Sequence, residues 1–238
     1  MAGSLARGSR PSPLTASAFT RRLAALEPGA APAAPDAFTQ ALSRWFTWTD
    51  AIALSSALGP APAPLAAQVS GAAGDKAARD RALAREAARA RAALHGAIAE
   101  LAGAVGDEGT GGTERTGNGA EGSAPWRDRV IARQQAMEAA IAPLRRRLRA
   151  ALAAGTPAQA RVAALDAVFE QALAPREREL LATVPRWLER SLARRPASST
   201  AAAPFRRELV ALLHAELDFR MKPVEGLLTA LLPTDVSP

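Results

Sequence analysis

His95 and His214 are the two histidines of a 238-residue chain that contains no cysteine. With Glu216 and Asp218 close to His214, they are the residues whose types best suit a metal ion. Two ligands fall short of the three or four that a zinc site needs, and no His-Glu-x-x-His run supplies more. The carboxylate pairs Glu177 with Glu179 and Glu216 with Asp218 would serve acid–base chemistry only in a pocket that shifts their pKa values. Arginines stand beside them, as in Arg176-Glu177-Arg178-Glu179, which predicts a solvated, salt-bridged helix face instead. The absence of cysteine excludes thiol nucleophiles, thiolate metal sites and disulfides. The glycine-rich stretch 106–124 lacks the lysine of a phosphate-binding loop, and no nucleophile elbow, dinucleotide fingerprint or kinase set is present. The expectation is a protein that is not an enzyme, with no catalytic residue, no metal and no cofactor.

Positive charge is the other chemical feature. The chain carries a formal +7 and an isoelectric point near 11.2, and Lys76 and Lys222 are its only lysines. Residues 126–154 hold seven arginines against Asp128 and Glu138, and Arg145, Arg146, Arg147 and Arg149 form a candidate basic patch. On a continuous helix Arg145 and Arg149 fall on one flank, Arg129 and Arg147 on the other, and Arg146 opposite the apolar seam. A groove-binding helix gathers its cations on one face, and aromatic stacking partners are missing here. Nucleic acid is therefore the alternative partner. Arginine, alanine and proline richness also matches what a GC-rich genome imposes.

The elements that would position any site are helical. Alanine dominates the 48% hydrophobic content, and no stretch alternates apolar and polar residues over a strand's length. The predicted class is all-α: a helical bundle with a long, coiled-coil-like antiparallel hairpin and a disordered glycine-rich loop. Trp45, Phe46 and Trp48 cluster in RWFTWTDAIALSSAL (44–58), in a chain with only 4% aromatic residues. Phe38, Leu42, Trp45 and Ile52 share a helical stripe. Trp45, Trp48, Asp50 and Ile52 are accordingly the candidate interaction or core hub, with Trp45 expected to be buried and Asp50 to favour the start of the helix carrying Ile52.

In the first arm of the hairpin, Leu83, Ala87, Ala90, Leu94, Ile98, Leu101 and Val105 recur at three- and four-residue steps. In the second, Trp126, Val130, Met137, Ile141, Leu144, Leu148 and Leu152 do the same. Each set falls within roughly an 80° wedge, a narrow seam. The arms should pair over about 40 Å, with Pro143 kinking the second. Arg81, Arg85, Glu86 and Arg89 occupy the solvated face of the first arm. Gly155-Thr156-Pro157-Ala158-Gln159 reads as a helix end followed by a capping box. New helices are expected to open near Pro175 and to restart at Pro223.

The resulting organisation is a disordered arm (1–12), N-terminal helices of the body (13–59), a Pro/Gly linker (60–74) and the hairpin (75–154) broken by the disordered loop (106–124). C-terminal helices of the body (155–232) and a tail (233–238) complete it. The hairpin is expected to project from the body. Residues 1–10 lack the apolar run of a signal peptide, and 51–69 is too broken by glycine and proline to span a membrane. A cytoplasmic location is expected, with no membrane insertion.

Four stretches carry a resemblance: PLTASAFTRRLAAL (13–26), RWFTWTDAIALSSAL (44–58), ALDAVFEQALAPRERELLATVPRWLER (164–190) and FRRELVALLHAELDFRMKPVEGLLTAL (205–231). Through them the chain resembles an uncharacterised betaproteobacterial domain-of-unknown-function family, 3348, most specifically in the WTDAIALS and AELDFRMKPVEGLL runs. The resemblance supplies no activity and no catalytic residue. It implies an adaptor within an envelope-associated assembly, because genes of this kind tend to sit beside genes for envelope or membrane-associated proteins. The expected function is that of a non-enzymatic helical protein, bacterial, acting through protein–protein interaction. An arginine-rich nucleic-acid accessory protein is the alternative.

Overall fold

The computed structural model describes residues 17–26, 45–59, 72–107, 125–194 and 202–232, and among them every regular element is helical. The elements are α1 (Ala18–Leu26), α2 (Trp48–Leu58), α3 (Ala72–Asp107), α4 (Pro125–Ala153), α5 (Pro157–Leu181), α6 (Val184–Ala193) and α7 (Ala202–Leu231). The all-α class follows from the composition: alanine, leucine and arginine favour helix, and no β-branched runs compete. The arm 1–12, the tail 233–238 and nearly all of the linker 60–74 and the loop 106–124 lie outside the described residues.

Four long helices form the bundle, and cross-helix contacts set their directions. Trp126 packs edge-on against Phe205, and Gln134 donates to Glu216, so α4 and α7 run parallel. Arg91 pairs with Asp218 and Glu225, while His95 stacks on His214 further along, so α3 runs antiparallel to α7 and hence to α4. Arg145 pairs with Asp166 and Gln134 reaches the Leu181 carbonyl, which sets α5 antiparallel to α4. Helices α4 and α7 sit between α3 on one side and α5 on the other.

Most of the seam residues read from the sequence are buried, with Leu83 and Ala90 only partly so and the Val105 side chain outside the described residues. Leu94, Ile98 and Leu101 of α3 and Val130, Met137, Leu144, Leu148 and Leu152 of α4 join one apolar cluster. That cluster centres on α7, which contributes Phe205, Leu209, Leu212, Leu213, Leu217, Met221, Val224, Leu227 and Leu231. Arms α3 and α4 therefore lie against α7 rather than projecting from a separate body. A seam specifies that one face must be covered but does not say by which helix, and α7 is apolar around enough of its circumference to meet both arms.

Three local expectations change. Pro175 lies inside α5 and Pro223 inside α7, and neither opens a helix. The break after α5 falls instead at Ala182 and Thr183, and Pro185 stands in the first turn of α6. Packing on neighbouring helices outweighs the lost backbone hydrogen bond at each internal proline. The expected burial of Trp45 does not hold: Trp45 is 37% exposed, Trp48 81% and Ile52 52%, whereas Asp50 is buried, and Phe38 and Leu42 lie outside the described residues. Thr47 is the N-cap of α2, with Asp50 at N3 completing a capping box. This start rotates Asp50, Ala53, Leu54 and Ala57 inward and leaves Trp48, Ala51, Ile52, Ser55 and Leu58 on the outer face.

Candidate functional site

A cleft of about 990 Å³ opens between α4, α5 and α7. Its apolar walls include Ile141 of α4, Leu173 of α5 and Phe219 of α7, with Trp45, Phe169 and Leu180 also contributing. Phe219 is held in place by stacking on Phe19 of α1, with ring centroids 5.4 Å apart. Phe169 meets Phe46 edge-on at 5.7 Å, and at the other end of α2 Arg161 donates to the Gly59 carbonyl at 3.2 Å. These two contacts lay α2 antiparallel along α5 and bring Trp45 to the cleft.

Charge in the cleft is arranged in matched pairs. Arg145 forms a bidentate contact with Asp166, through Nε at 2.8 Å and an Nη at 2.7 Å, and Arg149 pairs with both Asp166 and Glu170. Arg176 pairs with Glu179 at 2.8 Å, Arg178 with Glu138 at 4.0 Å and Lys222 with Glu225 at 2.8 Å. Beneath them lies Glu216, fully buried, which accepts from Gln134 at 3.0 Å and from the Arg220 Nε at 2.9 Å. Burial pushes the Glu216 carboxyl above the ordinary range, against the opposing pull of Arg220 and the Gln134 hydrogen bond.

Glu177 is the exception. It lines the same cleft and is half-buried. No hydrogen bond or ion pair reaches it among the described residues. Desolvation raises its pKa, while Arg220 and Arg145 act in the opposite direction from a distance.

A second polar cluster joins α3 to α7. The His95 and His214 rings stack with centroids 4.8 Å apart, and the His95 Nε2 lies 3.9 Å from Asp218. Desolvation first, then the neighbouring His214, lowers the His95 pKa. Among the described residues no group of three His, Asp or Glu side chains is arranged to hold a metal ion.

The residues singled out in the sequence are distributed as follows. Trp45 borders the cleft, Trp48 and Ile52 face outward, and Asp50 accepts from the Thr47 amide at 2.8 Å. The hydrogen bonds from Thr47 hold Asp50 below the ordinary carboxylate range. The four arginines of the basic patch diverge: Arg145 and Arg149 turn to α5, Arg147 turns to Glu86 on α3, and Arg146 is exposed. Glu177 and Glu216 were expected on a solvated, salt-bridged face, but Glu177 is half-buried and Glu216 fully buried, and with Gln134 and Arg220 they were not singled out as a group. For Glu216 a signal existed, since Leu209, Leu212, Leu213 and Leu217 place it inside an apolar stripe and Arg220 follows one turn later.

No helix among the described residues is long and apolar enough to cross a membrane. No curated protein and no solved structure matches the chain. A family model does match, over residues 5–232, and by that match the chain belongs to the family described as protein of unknown function (DUF3348).

Proposed function

We propose that this protein is a non-enzymatic adaptor that binds another protein through the outer face of α2 and the adjoining cleft. The observation that carries the reading is the exposure of large apolar side chains on one helix: Trp48 at 81%, Ile52 at 52% and Leu58 at 57%. Residues 48, 51, 52, 55 and 58 span about 120° of a helix at 100° per residue, a stripe of the width that packs on a partner helix. Tryptophan is enriched among residues that dominate binding energy at interfaces. The stripe runs on from Trp45 at the cleft, so one apolar segment of a partner can engage both. The cytoplasmic location and membership of an envelope-associated assembly are further parts of this proposal.

The nucleic-acid alternative loses support from the ion pairs, because Arg145, Arg147 and Arg149 are each engaged by carboxylates of the same chain. Phosphate contacts would have to displace those partners. The test is a comparison between the wild-type chain and a Trp48→Ser, Ile52→Ser double variant, both outside the core. A protein retained from native-host extract by the wild-type chain is purified and titrated against each. The expected result is a stoichiometric complex that persists at ~0.15 M salt and weakens at least about tenfold, or ~1.4 kcal/mol, in the variant. Equal binding by the two chains overturns the α2 assignment. Tight, salt-sensitive binding of duplex or single-stranded oligonucleotide by the wild-type chain, lost on Arg146→Ala and Arg147→Ala, favours the nucleic-acid reading.

A further inference from the structure

Taken together, the cleft's ionic groups leave one charge unmatched. Every guanidinium or ammonium group lining it stands within 4.0 Å of a carboxylate, whereas Glu177 has no such partner among the described residues. An ionised carboxylate partly withdrawn from water and without a direct partner is an unfavourable arrangement in isolation. It becomes favourable when a cation enters and the group gains a charge-assisted hydrogen bond. The walls beside it are apolar, from Ile141, Leu173 and Phe219, so the complementary group is a cation on an apolar stem rather than a hydrated inorganic ion. Arginine and lysine side chains have this construction, a methylene stem ending in a charged head.

We propose that Glu177 is the specificity-determining residue of the cleft and receives an arginine or lysine side chain presented by the protein partner. The assignment rests on the adaptor reading and adds the chemistry by which the partner is chosen. The apolar stripe of α2 supplies contact area, while Glu177 sets which partner segment fits, since a neutral or acidic side chain at that point covers the half-buried carboxylate and leaves it unpaired.

The partner side chain is represented by N-hexylguanidinium, and its charge is tested against the near-isosteric neutral N-hexylurea. Both are titrated into the full chain at neutral pH, and the Trp45 indole N–H resonance is followed, identified by its loss in Trp45→Phe. The cation is expected to bind at least about tenfold more tightly than the urea, equivalent to ~1.4 kcal/mol. Glu177→Gln should abolish that preference and leave the weak urea affinity unchanged. Glu189→Gln, at a carboxylate outside the cleft and already paired with Arg127, should preserve it and so exclude a general effect of net charge. Equal affinity for the two probes, absence of binding by both, or an undiminished preference in Glu177→Gln overturns the assignment. None of these outcomes bears on the α2 stripe, whose test is the partner complex with Trp48 and Ile52 replaced. If instead the small cation behaves as expected but a purified complex is indifferent to Trp48 and Ile52, the adaptor reading fails at α2 and the Glu177 site stands as a cation site alone.

Discussion

Glu216 shows what a single buried carboxylate commits a helical bundle to. Its side chain is fully buried, and Arg220 beside it lies within 2.8 Å of its carboxylate. Gln134 joins the same group to the Leu181 carbonyl at the end of α5. The pair is not by itself a source of large stability, because desolvating both ions offsets most of their attraction. Breaking it is another matter, since the remaining guanidinium would then be buried without its counter-ion. Glu216→Ala should therefore cost about 3 to 5 kcal/mol, and a Glu216→Met, Arg220→Met double variant should recover most of that loss. Urea unfolding of Glu216→Ala and of the double variant, each against wild type, measures both quantities. A double variant as unstable as Glu216→Ala would show that Arg220 has a role beyond this carboxylate.

Helix boundaries here are set by short polar devices. Thr156 and Gln159 cap α5 reciprocally, the threonine hydroxyl accepting from the Gln159 amide at 3.2 Å and the Gln159 side chain accepting from the Thr156 amide at 3.1 Å. Gln159 then extends to donate to the Ala230 carbonyl at 3.0 Å, which ties the start of α5 to the end of α7. Gly155 is needed for this geometry, because a Cβ there would stand 2.0 Å from the Gln159 Oε1. Gly155→Ala should displace that amide and cost about 1 kcal/mol, the usual value of a lost cap. Thermal melting of Gly155→Ala beside Thr156→Ala and the combined variant checks it. The two changes remove one device, so their effects should be less than additive. Full additivity would place the glycine's contribution outside the capping box.

Across the molecule, carboxylates pull the pH dependence of stability in opposite directions. Glu177 and Glu216 are raised by burial, so the folded chain holds their protons more tightly than the unfolded chain does. Their contribution is greatest below the unfolded pKa and is lost as pH rises through the folded values. Asp50 is lowered by its hydrogen bonds from Thr47. Desolvation opposes ionisation of Glu225, but Lys222 and Arg91 prevail and lower its pKa. The contributions of these two are present above the unfolded pKa and are lost as pH falls through the folded values. Comparing wild type with Glu177→Gln isolates one member of the first group. Facing that carboxyl are Arg145 and Glu138 of α4, Glu170 of its own helix α5 and Arg220 of α7. The melting temperature of Glu177→Gln should gain on wild type as pH rises from below the ordinary carboxylate range through the folded pKa. A constant difference over that range would mean that the Glu177 pKa is unchanged by folding.

Helicity, both arm seams and the Thr156 capping box were legible in the residues because each depends on neighbours within one or two turns. The 3.6-residue period identifies Leu94, Ile98, Leu144 and Leu148 as one-sided whatever covers them. The candidate site was largely illegible, since Glu177, Arg220 and Trp45 come together only through the docking of α2 and α7 on the bundle. Bulk also misled. Trp45 and Trp48 are the kind of residue a core recruits, yet the cap at Thr47 sets the rotation of α2 and turns Asp50, Ala53, Leu54 and Ala57 inward in place of Trp48. The arginines of α4 point in different directions, and their carboxylate partners Asp166, Glu170 and Glu86 lie on other helices. Periodicity specifies the angle of a side chain about its own axis. Which neighbour meets it, and therefore which charge is neutralised and which is left for a ligand, is decided by packing between helices distant in the chain.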